Sequence, residues 1–180
     1  MEEEPEILQT INWIKEVVIG CNFCPFAARA LLKQNIQYTL LTSVSLQESL
    51  EQVAIEMKAL DNDLERETSF IIFKNDYTSF NEYLFLVDKA EQLLKKTGYE
   101  GVYQLASFHP DYCFAGSDEN DPANYTNRSI YPMLHLLRED SITAALENFP
   151  DPEKIPQNNI HFAEQKGLLY MQLLRAGCIR

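Results

Sequence analysis

The chain has 180 residues, of which 46% are hydrophobic and 23% charged, the proportions of one globular domain rather than a disordered chain. Lys+Arg 15 against Asp+Glu 27 gives a net charge of -12, which argues against a general nucleic-acid or anionic-membrane binder, since those need a basic field to release counterions. A chain this long buries enough surface to fold without a disulfide or metal staple.

Residues 1–5 are acidic and read as a disordered tail, and residues 1–180 as one domain. Glu6 to Ile19 reads as a helix, because Ile7, Ile11, Ile14 and Val18 recur at helical spacing and Gly20 is a natural stop. Pro25 suits a first helical position, which puts Cys24 at the cap of a second helix running through Lys33. Ile36 to Thr42 is rich in β-formers and reads as a strand. Ser45 and Glu48 form a capping box before an apolar stripe of Leu46, Leu50, Val53, Met57 and Leu60. Thr68 to Phe73 is a short buried strand. Ser79 and Glu82 are a second capping box, and the helix they start ends at Lys95, Lys96 and Gly98. Val102 to Phe108 is the third strand.

Strand-helix-strand-helix-strand order predicts an α/β fold: a small three-stranded, parallel sheet flanked by helices. Residues 109–128 form a long polar connection of the kind that is usually functional or disordered. Helices are expected again at 130–138, 141–149 and 152–175, with breaks at Pro150, Pro156 and Gly167, which makes the C-terminal third helical.

The start of the chain has neither the basic, apolar character of a secretory signal nor the Arg-rich character of a transit peptide. No apolar run approaches the roughly 20 residues that span a bilayer. A cytoplasmic location with no membrane partner is the expectation, and there Cys21, Cys24, Cys113 and Cys178 are free thiols. Cys21 and Cys24 have ligand spacing, but no second such pair follows.

Ligands of open parallel sheets bind beyond the carboxyl ends of the strands. His109 and Asp111 fall at that place after the third strand, His109 as an acid or base and Asp111 as its orienting carboxylate. The alternative is that Asp111 closes a proline turn and His109 is a strand end. Tyr125, Asn127, Arg128 and Ser129 precede a predicted helix, where free N–H groups and the Arg128 fork would take an anion. The alternative there is a Ser129 cap and a surface ion pair. On a helix, His135, Arg138 and Glu139 share one face, so His135 would point into the same cleft as His109, as a second acid or base. A metal site would need His109, His135 and Asp111 to converge, which spacing does not show, and no metal is expected. At a helix cap, Cys24 would be the most reactive thiol; otherwise it is a small buried apolar residue.

Two stretches resemble known families. Val17 to Ala27, with Cys24, Pro25 and Phe26, resembles a glutaredoxin and implies thiol-disulfide chemistry at Cys24. Glutaredoxins place a strand before that cysteine, whereas the period here is helical. Three longer motifs lie farther apart: Val18-Ile19-Gly20 with Cys24-Pro25-Phe26-Ala27, Ser107 to Tyr112 with Phe114-Ala115-Gly116, and Asn124 to Ser129 with Tyr131 to Glu139. Together they resemble the bacterial family called domain of unknown function 1415, from about Trp13 to the last helix. The resemblance implies a site at Cys24, His109, Asp111, Asn127, Arg128, His135 and Arg138 and leaves its reaction and cofactors open. The chain departs from the family at Cys21, usually aliphatic, and at Ile130, usually Pro.

The expected function is a small enzyme acting on an anionic metabolite. Arg128 holds the anion with Tyr125, Asn127, Ser129 and Arg138, His109 and His135 move protons, and Cys24 is a candidate nucleophile. The alternatives are a non-catalytic anion-binding module and a thiol-redox protein.

Overall fold

The computed structural model describes residues 4–147 and 149–180. A first helix, α1 (Pro5–Trp13), runs without a break into a π-helical turn, Ile14–Ile19. After a loop come α2 (Ala27–Leu32), β1 (Ile36–Leu41), α3 (Leu46–Asn62), β2 (Thr68–Phe73), α4 (Phe80–Lys96) and β3 (Tyr103–Phe108). A 3₁₀ turn, Pro122–Thr126, interrupts the long connection before β4 (Met133–Arg138). The chain ends in α5 (Glu139–Leu146), a 3₁₀ turn at Pro152–Lys154, α6 (Ile155–Lys166) and α7 (Leu168–Ala176).

The sheet has four strands in the order β1-β2-β4-β3. β1 and β2 pair in parallel, while β4 runs antiparallel to both of its neighbours. The expected three-stranded parallel sheet is thus corrected. β1, β2 and β3 do share one direction, but β4 is inserted between β2 and β3, so two of the three ladders are antiparallel.

The inserted strand is the segment expected to be a helix over 130–138. Its apolar run Met133, Leu134, Leu136 and Leu137 fits either reading over six residues. A central strand is covered on both faces, so it lacks the alternation that marks a half-exposed one. On one face Phe70, Ile72 and Met133 pack with Trp13, Val17, Ala163 and Met171, beneath the N-terminal and C-terminal helices. On the other face Ile71, Phe73, Leu134 and Leu136 pack with α3 and α4 through Val53, Met57, Leu60, Tyr83 and Leu86. The result is a sheet between two helical layers.

The Ser45–Glu48 capping box forms as expected, with both reciprocal hydrogen bonds present. Ser79 is the cap of α4 but its side chain makes no capping bond. Of the expected disordered tail, Met1 to Glu3 lie outside the described residues, while Glu4 caps α1 and Pro5 is its first residue. Pro156 lies in the first turn of α6 rather than breaking a helix, and Gly167 separates α6 from α7 as expected.

Candidate functional site

Under the N-terminal helical layer lies an apolar cavity of about 80 Å³, enough for several waters or a small organic group. The π-helical turn brings Ile14 and Val18 to it, and β2 and β4 bring Thr68, Phe70 and His135. Trp13, Cys24 and Phe108 also line it. A π-turn inside an α-helix is rare and often sits at a functional site. Here Gly20 ends it: a Cβ on Gly20 would stand 2.2 Å from the Glu16 carbonyl oxygen, so no larger residue fits that close approach.

His135 is held from two sides. Its ring stacks on Phe70 with centroids 3.8 Å apart and planes 10° apart. Its Nε2 lies 2.6 Å from the Thr68 hydroxyl, which is also hydrogen-bonded to the Leu136 carbonyl. A carbonyl cannot donate, so the single Thr68 proton goes to Leu136, and Thr68 must accept from His135 Nε2–H. That fixes the tautomer and leaves Nδ1 with a free lone pair, for which no partner exists among the described residues. Burial pushes the imidazole pKa from 6.5 down to about 3, so the ring is neutral. Although densely surrounded, His135 keeps some accessible surface, and the cavity supplies it.

Cys24 faces the same cavity but is not a helix cap. α2 begins at Ala27 and its cap residue is Phe26. Burial raises the Cys24 thiol pKa, and hydrogen bonding from the Phe26 and Ala27 backbone only partly opposes this. The thiol is therefore neutral at rest. The segment before it is helical, which also separates it from the glutaredoxin arrangement.

His109 lies elsewhere. It is fully buried against Phe80 and Tyr83 of α4, on the side of the sheet opposite His135. Its Nδ1 accepts from the Asp111 backbone N–H at 2.9 Å, and its Nε2–H donates to the Tyr77 carbonyl at 2.9 Å. Both ring nitrogens are satisfied, and burial holds the pKa below 6.5. The backbone of Asp111, not its exposed carboxylate, fixes the ring. Expected in one cleft, the two histidines occupy separate environments. Among the described residues no group of three or more His, Cys, Asp or Glu is placed to hold a metal ion.

The polar stretch 124–129 organises the long connection. Asn124 is fully buried, accepts from the Phe114 N–H and donates to the Asp118 carbonyl. Arg128 donates to the carbonyls of Tyr112 and Glu119, both at 2.9 Å, and lies over the Tyr125 ring. Buried Ser129 donates to the Tyr131 carbonyl, two residues along the chain. A strand, β4, follows this stretch in place of the expected helix, so no helix start lies beside Arg128. Arg138, expected beside His135, leaves β4 on the opposite face, reaches the edge of the same cavity and donates to the carbonyls of Leu60, Asp63 and Arg66, at and beyond the end of α3.

The three sequence motifs do meet. Val18 and Cys24 of the first line one cavity with Phe108 of the second and His135 of the third, and the His109 N–H donates to the Asn127 carbonyl. What the residue patterns missed is the set around His135, namely Trp13, Phe70 and Thr68, and Arg175, whose Nε donates to the Ser129 carbonyl at 2.7 Å. The legible signal was Thr68, which with Ser69 opens an otherwise apolar strand.

No helix among the described residues is long and apolar enough to cross a membrane. No curated protein and no solved structure matches the chain. A family model does match, over residues 6–172, and the chain belongs to that family, the protein of unknown function DUF1415.

Proposed function

We propose that this protein binds a small, uncharged, largely apolar molecule in the cavity under the π-helical turn, with His135 Nδ1 as its hydrogen-bond acceptor. The observation that carries this is the fixed tautomer of His135, whose one free nitrogen belongs to the ring that lines the cavity. A neutral acceptor in an apolar pocket selects a ligand carrying an O–H or N–H. The charged side chains on the walls are Glu67 and Arg138, and the Arg138 guanidinium is held by backbone carbonyls.

The test uses cyclohexanol and cyclohexanone, which share a shape but differ in carrying a donor. Trp13, the one tryptophan, lines the cavity and reports occupancy by its fluorescence. The alcohol is expected to bind roughly 2- to 12-fold tighter, the worth of one hydrogen bond. In His135→Leu that preference disappears. Equal affinities in the unaltered protein would defeat the reading.

The expected enzyme for an anionic metabolite remains as a second reading, favoured by Arg128 and Arg175. Both guanidinium groups are tethered to backbone carbonyls, and neither is within ion-pair distance of a carboxylate among the described residues. Burial and the charge of Arg128 lower the pKa of Arg175, while Asp111 and Tyr125 oppose them. An anion between the two would relieve that repulsion. On this reading inorganic phosphate raises the melting temperature, and Arg175→Gln abolishes the rise; no rise with phosphate or sulfate removes the anion site.

A further inference from the structure

A second chamber of about 310 Å³ lies beside the first, and Val18, Cys24 and Phe108 line both. Its remaining walls carry Phe23 and Phe114 and, as polar groups, Thr126, Asn127 and Asn159. No charged side chain lines it. Asn159 donates its amide to the Phe23 carbonyl at 2.8 Å, and its carboxamide oxygen has no partner among the described residues.

We infer that the two chambers form one site for a linear, uncharged chain with a hydrogen-bond donor at each end. This rests on the reading of the first chamber as a ligand site. One end meets His135 Nδ1, the other the Asn159 oxygen, and the apolar middle passes Val18, Cys24 and Phe108. Three side chains are the partition that both chambers name, and side chains move by rotamer changes without refolding a strand or helix. A charged head is disfavoured at both ends, because neutral imidazole and carboxamide acceptors cannot offset the desolvation of an ion.

The experiment titrates the full chain with alkane-α,ω-diols, from butane-1,4-diol to decane-1,10-diol, and with the matching 1-alkanols, reading Trp13 fluorescence. Each methylene that enters an apolar chamber is expected to tighten binding about fourfold. Affinity should rise beyond the length that fills the first chamber, and long diols should bind tighter than long alkanols. Long diols, which span the partition, should also protect Cys24 from alkylation more fully than butane-1,4-diol does, read by mass spectrometry of its peptide. Ile160→Phe and Pro156→Phe each narrow the second chamber without adding a second tryptophan. Either variant that keeps the parental melting temperature should weaken decane-1,10-diol and leave butane-1,4-diol unchanged.

A series that plateaus at short chains, with no diol advantage and no protection of Cys24, overturns the two-chamber site and leaves the first chamber standing. No response of Trp13 to any member removes the first-chamber reading as well. If neither variant folds, the length series and the protection of Cys24 decide the matter in the parental protein.

Discussion

His135 and His109 are both kept neutral, by different surroundings and with one consequence. Each has a folded pKa below the 6.5 it has when exposed, so below that pH the unfolded chain binds protons that the folded chain does not. Stability is therefore full above about pH 6.5 and falls with acidification from there toward pH 3. For His135 the slope approaches about 1.4 kcal/mol per pH unit once the unfolded form is protonated, and His109 adds loss of the same sign. Glu6, Glu48 and Asp61, whose folded pKa values are lowered by hydrogen bonds, add loss of the same sign only below about pH 4.5. Urea midpoints at pH 7 and pH 5 are expected to differ, and His135→Gln should flatten that difference by removing one titrating group. An unchanged slope in the variant would mean His135 is not held neutral. The same reasoning applies to Cys24. With its thiol pKa raised by burial, alkylation at pH 7 should be slower than that of a free cysteine, and a faster rate would return it to the list of nucleophiles.

At the scale of elements, the π-helical turn and β4 decide where the cavity lies. Gly20→Ala places a methyl group 2.2 Å from the Glu16 oxygen, so the turn must unwind or shift. The expected cost is upward of about 2 kcal/mol, seen as a lower urea midpoint, with a red-shifted Trp13 emission as the turn moves. Arg138 joins β4 to the end of α3 through three carbonyls, so Arg138→Ala strands those acceptors. Charge-assisted bonds of this kind are worth about 1.5–3 kcal/mol, and Arg138→Lys, lacking the planar fork, should recover only part. If Arg138→Ala is neutral, the end of α3 is satisfied by water instead.

These elements also mark what was legible in the residues. α3 was readable because Ser45 and Glu48 cap it and one apolar stripe follows, and β2 because five of its six residues are apolar or β-branched. β4 was not, because a central strand buried on both faces loses its alternation. Its misreading carried His135 and Arg138 to one helix face, whereas a strand puts successive residues on opposite faces; the two are three apart and leave the strand on different faces, although both reach one cavity at the end of the sheet. Of the residues in the family motifs, Cys24 and His135 share a cavity. The motifs could not reveal that His109 bonds the Tyr77 carbonyl and the Asp111 N–H, or that Arg128 bonds carbonyls of the long connection, because that depends on where backbone groups fall in space.

For the molecule as a whole, the two ends of the chain close one side of the sheet. Asn12 of α1 donates to the Cys178 carbonyl, Tyr131 donates to Gln9, and Arg175 of α7 reaches Ser129. Met171 and Cys178 are buried in the same cluster as Trp13 and Val17, while the cluster beneath α3 and α4 contains no residue from either end. The two layers should therefore differ in stability. A chain ending at Lys166 removes α7 and with it Met171, whose loss from a core typically costs about 2–5 kcal/mol for the side chain alone. Amide exchange in α1 and the π-helical turn is expected to accelerate strongly, and Trp13 emission to shift red, while exchange in β2, α3 and α4 changes least. Uniform acceleration through all elements would mean that the sheet and both layers open as one unit. In that case a ligand in the cavity would stabilise α3 and α4 as much as α1, because binding to the native state then lowers every opening together.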